Sequence, residues 1–162
     1  MESGTPSGDT AWAMSEENVE IVRSTLAAFE RAIASYWRTP RSMAEEVEAG
    51  APEIDEALGL LDPGIVWNAG DLGSARGCEQ MAALLDDLLE IAAPYEISLT
   101  EIREGEGELV YAAIERAITA KGSGIETTIP VFITFRIENG LIAQMDEYLD
   151  RQEALEAAGL RE

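Results

Sequence analysis

The spacing of apolar residues changes period at Pro94, and that change constrains the fold more than any other feature. Before Pro94, apolar residues recur mainly at three- and four-residue steps, as on the buried face of a helix. Val19, Val22, Leu26, Phe29, Ala32, Ile33, Tyr36 and Trp37 form one such series, opening after Met14 with Ser15 as a candidate cap. Met81, Leu84, Leu85, Leu88, Leu89 and Ala92 form another, over Gly77 to Ala93. After Pro94 the apolar residues roughly alternate, as they do on a half-buried strand. Tyr95, Ile97, Leu99 and Ile102 start the series, and LVYAAIERAITA, IETTIPVFITFRI and LIAQMDEYLD continue it.

Turn chemistry separates these strands. EGEGE and KGSG are turns, and Glu138-Asn139-Gly140 carries the Asn-Gly hairpin signal. RQEALEAA reads as a short terminal helix, with Gly159 beyond its end. Earlier, PEIDEALGLL reads as a helix ending at Asp62-Pro63-Gly64, IVWNAG as a short strand and DLGSARG as a Gly-rich turn. Helices, a short strand, a helix and then a four-strand meander predict an α+β fold. A long, twisted antiparallel sheet of this kind can wrap around the N-terminal helices and leave a cone with an apolar pocket.

With 162 residues, the chain suits one domain. Residues 1–13 lack periodicity and are rich in Gly, Ser and Thr, so they are expected to be a flexible tail before a domain at 14–162. The stretch 38–52 could be a short helical excursion or a lid. A net charge of −21 disfavours nucleic-acid and membrane-surface partners. An apolar fraction of 46% is too high for a disordered acidic chain. The absence of histidine excludes Ser-His-Asp and Cys-His catalysis and any His-ligated metal. The single cysteine, Cys78, excludes an internal disulfide and reads as a small buried hydrophobe. With no signal-peptide pattern and no apolar run of membrane-spanning length, the expected location is the cytoplasm.

Three segments carry a resemblance. MSEENVEIV, LLDPGIVWNAG and IENGLIAQMDEYLDRQEALEAAGL resemble the SnoaL-like proteins of the nuclear transport factor 2, or cystatin-like cone, fold. The likeness spans roughly residues 14–160. It implies a curved sheet with helices closing a pocket, and often a homodimer through the outer face of the sheet. The fold hosts isomerases, dehydratases, cyclases, epoxide hydrolases and non-catalytic binders, so the site is argued separately.

In the register that the resemblance implies, the concave face collects Val66 and Asn68; Ile114, Arg116 and Ile118; Ile129, Val131 and Ile133; and Met145, Glu147 and Leu149. Trp67, Tyr111, Glu115, Thr134, Arg136, Asp146 and Tyr148 fall on the other face. An apolar cavity with a few convergent polar groups suits an apolar small-molecule ligand. Tyr36 is a candidate for the pocket mouth, with core packing as the alternative. Laid on this chain, the catalytic pattern of limonene-epoxide hydrolase, a distant resemblance, keeps only its Asn, as Asn68.

What remains is Glu147 as general base, Arg116 as the cation that stabilises an oxyanion or holds a ligand oxygen, and Asn68 beside them. That set needs no cofactor and would serve isomerisation, cyclisation or epoxide opening. The alternative for Glu147 and Arg116 is an internal ion pair without a substrate role. The other classes that fit are a ligand carrier or sensor and a dimeric assembly module. The acidic run at Glu45, Glu46 and Glu48 and the pair Asp86-Asp87 read as solvated faces rather than cation sites.

Overall fold

The computed structural model describes residues 8–38, 45, 52–120 and 122–161. Helix α1 spans Gly8–Arg38, α2 Pro52–Leu58, α3 Cys78–Ile91 and α4 Arg151–Ala157. The strands are β1 Leu61–Asn68, β2 Ser74–Arg76, β3 Ala92–Glu104, β4 Leu109–Ala120, β5 Glu126–Glu138 and β6 Leu141–Tyr148. Among the described residues they form one six-stranded sheet in the order β2-β1-β6-β5-β4-β3. A short 3₁₀ turn, Gly70–Leu72, joins β1 to β2.

The meander β3–β6 is antiparallel throughout, as its alternation predicts. Asn139 (φ 53°) and Gly140 (φ 77°) both take the left-handed conformation that a tight hairpin demands. The sheet as a whole is mixed rather than purely antiparallel, because β1 runs parallel to β6. That pairing needs a long crossover, which α3 and the meander supply. The first half of β5 extends past the end of β6, and Pro130, which has no N–H to give, sits there.

Other boundaries differ from the sequence expectation. Helix α1 begins at Gly8, inside the segment expected to be tail. Helix α2 stops at Leu58, and β1 already starts at Leu61. Asp62 accepts the Gly64 N–H at 2.8 Å, so the Asp-Pro-Gly turn becomes a bulge within β1. Strand β2 emerges from the stretch read as a turn, held by pairing Ala75 with Trp67. The expected lid at 38–52 lies mostly outside the described residues.

The core lies between the concave face of the sheet and the helices. Val22, Leu26 and Ile33 of α1, and Met81, Leu85 and Leu88 of α3, meet Trp67, Ile114, Ile133 and Phe135. Thr25 is fully buried within α1 and turns its hydroxyl back to the Ile21 carbonyl at 2.7 Å. Cys78 packs against this core, and burial pushes its thiol up, in keeping with a small hydrophobe.

On the opposite face α4 lies over Tyr111 and Ala113, burying Ala154 and Leu155. Asp150 caps it, accepting the Gln152 N–H at 2.8 Å, and Thr134 donates to the Ala154 carbonyl at 2.7 Å. Arg151 of α4 pairs with Glu101 of β3 at 2.9 Å, and the Tyr111 hydroxyl donates to the same carboxylate at 2.9 Å. Arg151 holds the Glu101 carboxyl below its ordinary value. Burial and the Glu101 carboxylate together push Tyr111 up to about 12.

Candidate functional site

The polar centre of the concave face comes from three strands. Strand β4 turns Ile114 and Arg116 inward, and β6 turns Met145 and Glu147 inward. Arg116 reaches across β5, and its Nη2 lies 3.1 Å from Glu147 Oε1 and 3.3 Å from Oε2. The side chains are only 8% and 9% exposed, so this is a buried ion pair. A third group completes it: Trp67 donates its indole N–H to Glu147 Oε2 at 2.7 Å. Parallel pairing of Trp67 with Met145 places that indole one diagonal step from Glu147.

Sequence reasoning missed Trp67 and chose its neighbours, because it set β1 one residue out of register. Ile65, Trp67 and Ala69 are buried, whereas Val66 and Asn68 are half-buried on the other face. Asn68 donates to Asp146 at 2.6 Å, and Gln144 donates to the same carboxylate at 2.9 Å. Asn68 and Val66 therefore leave the candidate site. The signal was present: in Ile65-Val66-Trp67-Asn68-Ala69, strict alternation puts the larger apolar set on the face of Trp67.

Two spaces meet at the ion pair. An inner space of about 60 Å³ lies among Leu26, Phe29, Leu85 and Ile97, with Trp67, Ile114, Ile133 and Met145 also on its wall. An outer space of about 580 Å³ is bounded by Ile118, Ile129 and Val131 of the sheet and by Leu88 of α3. Leu72 and Leu149 line it from the flanking turns and Tyr148 from the end of β6, together with the acidic residues Asp71 and Glu153. Arg116 and Glu147 line both spaces. Ile114, Ile133 and Met145 thus stand on the inner wall, and Ile118, Val131 and Leu149 on the outer one. Leu149 is 72% exposed, which puts it at the rim rather than inside. The side chain of Tyr36 lies outside the described residues.

This arrangement can hold an apolar body and present one carboxylate and one guanidinium to it. Each Glu147 oxygen already accepts a hydrogen bond, yet a carboxylate has about four lone-pair directions, so acceptor capacity remains. Among the described residues, no group of three or more His, Cys, Asp or Glu side chains could hold a metal ion.

An α+β cone with an apolar cavity and a buried polar pair on its concave face defines a class of small cone-fold proteins. Within it, the SnoaL-like domain family matches residues 40–145, more than half of the chain, and the protein belongs to that family. Solved structures repeat the fold. A nuclear transport factor 2-like protein of unknown function from Burkholderia pseudomallei is 20% identical, with a TM-score of 0.63 over 88% of this chain and 97% of that one. A SnoaL-like polyketide cyclase candidate from Jannaschia is 18% identical, with a TM-score of 0.63 over 91% and 94%. An LEH-like epoxide hydrolase from M. tuberculosis is 16% identical, with a TM-score of 0.58 over 88% and 90%. At these identities the likeness concerns the fold alone. Comparison with curated proteins finds no match.

Proposed function

We propose that the protein binds an apolar small molecule in its cavity and acts on it by cofactor-free acid–base chemistry. Glu147 would exchange a proton with the ligand, and Arg116 would stabilise negative charge developing on a ligand oxygen. The observation that carries this reading is the buried Arg116–Glu147 pair standing where both spaces meet. Low local dielectric strengthens such groups towards a bound ligand. Names among the similar structures, polyketide cyclase and epoxide hydrolase, suggest where to look for substrates.

A thermal-shift screen against apolar epoxides, ketosteroids and polyketide-like lactones, with product analysis of each hit, tests this. A ligand that binds the native state raises the melting temperature. Turnover by the natural chain and its loss in a folded Glu147→Gln variant are expected. Full activity in that variant would remove Glu147 from the mechanism.

A second reading, a ligand carrier, is favoured by the two donors that already hold Glu147. It predicts a melting shift with no product, and a Glu147→Gln variant altered in affinity alone. A homodimer belongs to the same proposal. It would use the part of the outer face that α4 leaves uncovered, around Gln144, Asp146 and Asn68, and sedimentation tests it. So does a cytoplasmic location. No helix among the described residues is long and apolar enough to cross a membrane.

A further inference from the structure

The two spaces differ in size, and the ion pair stands where they meet. An apolar cavity of about 150 Å³ accepts a benzene molecule, so the inner space has room for about two or three carbon atoms. Its wall, from Leu26 and Phe29 to Leu85 and Ile97, is apolar up to the ion pair. The outer space is roughly tenfold larger by the two volumes, 580 against 60 Å³, and can take the bulk of a ligand. Any molecule that fills both spaces lays the junction between its short tip and its body against Arg116 and Glu147.

Charge narrows the choice. Arg116 and Glu147 cancel each other, which leaves Asp71 and Glu153 as the charged residues among those lining the outer space. An anionic ligand would meet these and a chain of net charge −21. It would also compete with Glu147 for Arg116. A neutral oxygen can accept from the guanidinium while the ion pair stays whole.

We infer that the ligand is neutral and elongated, with an oxygen function two or three carbons from one end. The inner space is the subsite that reads this distance. The inference rests on the cavity being a ligand site, as proposed above, and adds which molecules fit it.

The test uses the natural chain and isomeric decanones whose carbonyl stands one, two, three or four carbons from the nearer chain end. These isomers share composition and nearly share hydrophobicity, so differences in affinity report the length of the tip. Calorimetric titration is expected to favour the two- and three-carbon tips over the others by about fourfold, the worth of one methylene moved from water to an apolar site. Decanoate is expected to bind more weakly than the best ketone.

Equal affinity across the isomers would overturn the inner subsite and leave the cavity reading standing. No binding by any isomer would overturn both. Tighter binding by decanoate than by every ketone would overturn the neutral ligand. Leu85→Phe, which fills the inner space, should move the preference to the one-carbon tip, and an unchanged order in that folded variant would count against the subsite. The isomer series on the natural chain decides the matter even if the variant fails to fold.

Discussion

Glu147 is held by two donors of different kinds. The guanidinium of Arg116 balances its charge, and the indole of Trp67 fixes one oxygen without adding charge. Burying such a pair costs desolvation that the mutual attraction only partly repays, so its value shows best when one partner is removed. Glu147→Leu leaves the Arg116 cation buried beside apolar walls and should cost about 3–5 kcal/mol. The double change Arg116→Met with Glu147→Leu should recover most of that loss. Urea unfolding of the two singles and the double measures the coupling. A double variant no more stable than Glu147→Leu would mean that the pair is not what sets the cost.

Part of this residue-scale picture was legible beforehand. Arg116 and Glu147 stood out as polar residues at inward positions of otherwise apolar strands, and they do meet. Trp67 did not stand out, because the reading followed a borrowed register instead of the local alternation of Ile65, Trp67 and Ala69. The cost was Asn68, whose actual partner is Asp146 on the outer face.

At the scale of elements, α4 is too short to be stable alone and depends on its docking. Leu155 is fully buried, and the Glu101–Arg151 pair clips the helix to β3. With both side chains about one-third exposed, that clip is worth little, at most about 1 kcal/mol. Its pH dependence still has a definite sign. Arg151 lowers the Glu101 pKa in the folded state, so the contribution is present above the ordinary Glu value and is lost as pH falls through the folded value. The melting temperature of the natural chain should therefore exceed that of Glu101→Gln at neutral pH, and the gap should close in acid. A gap that stays constant with pH would show that the clip does not depend on the charge of Glu101.

An element with strong local chemistry was readable, the Asn139-Gly140 hairpin, whereas the bulge between Leu99 and Glu101 was passed over as rough alternation. Strand β2 was not readable, since three residues carry no period and only backbone pairing with β1 defines it. The close approach at Gly105 was equally invisible. A Cβ there would come within 2.7 Å of the Ala158 carbonyl, a contact between distant parts of the chain.

For the whole molecule, the dominant long-range term is the net charge of −21. Self-repulsion at this charge loosens the compact state, and salt screens it within about 8 Å at physiological ionic strength. Adding sodium chloride should raise the melting temperature, most steeply below about 0.1 M where the screening length is longest. A melting temperature that falls with salt would mean that attractive surface pairs outweigh the repulsion.

The parallel pairing of β1 with β6 has a consequence for how the molecule comes into being. Trp67 and Glu147 are 80 positions apart in the chain. A nascent chain that has emerged only as far as β5 already carries the hydrophobic strand Ile65–Trp67 but has nothing for it to pair with on that side. The cavity therefore cannot exist in a fragment that stops at β5, and it closes only when β6 slots between two strands already present. Contacts of such long sequence separation form slowly and leave apolar edges open to other chains in the meantime. Completion of the cavity and protection of the β1 edge from aggregation are in this protein the same event.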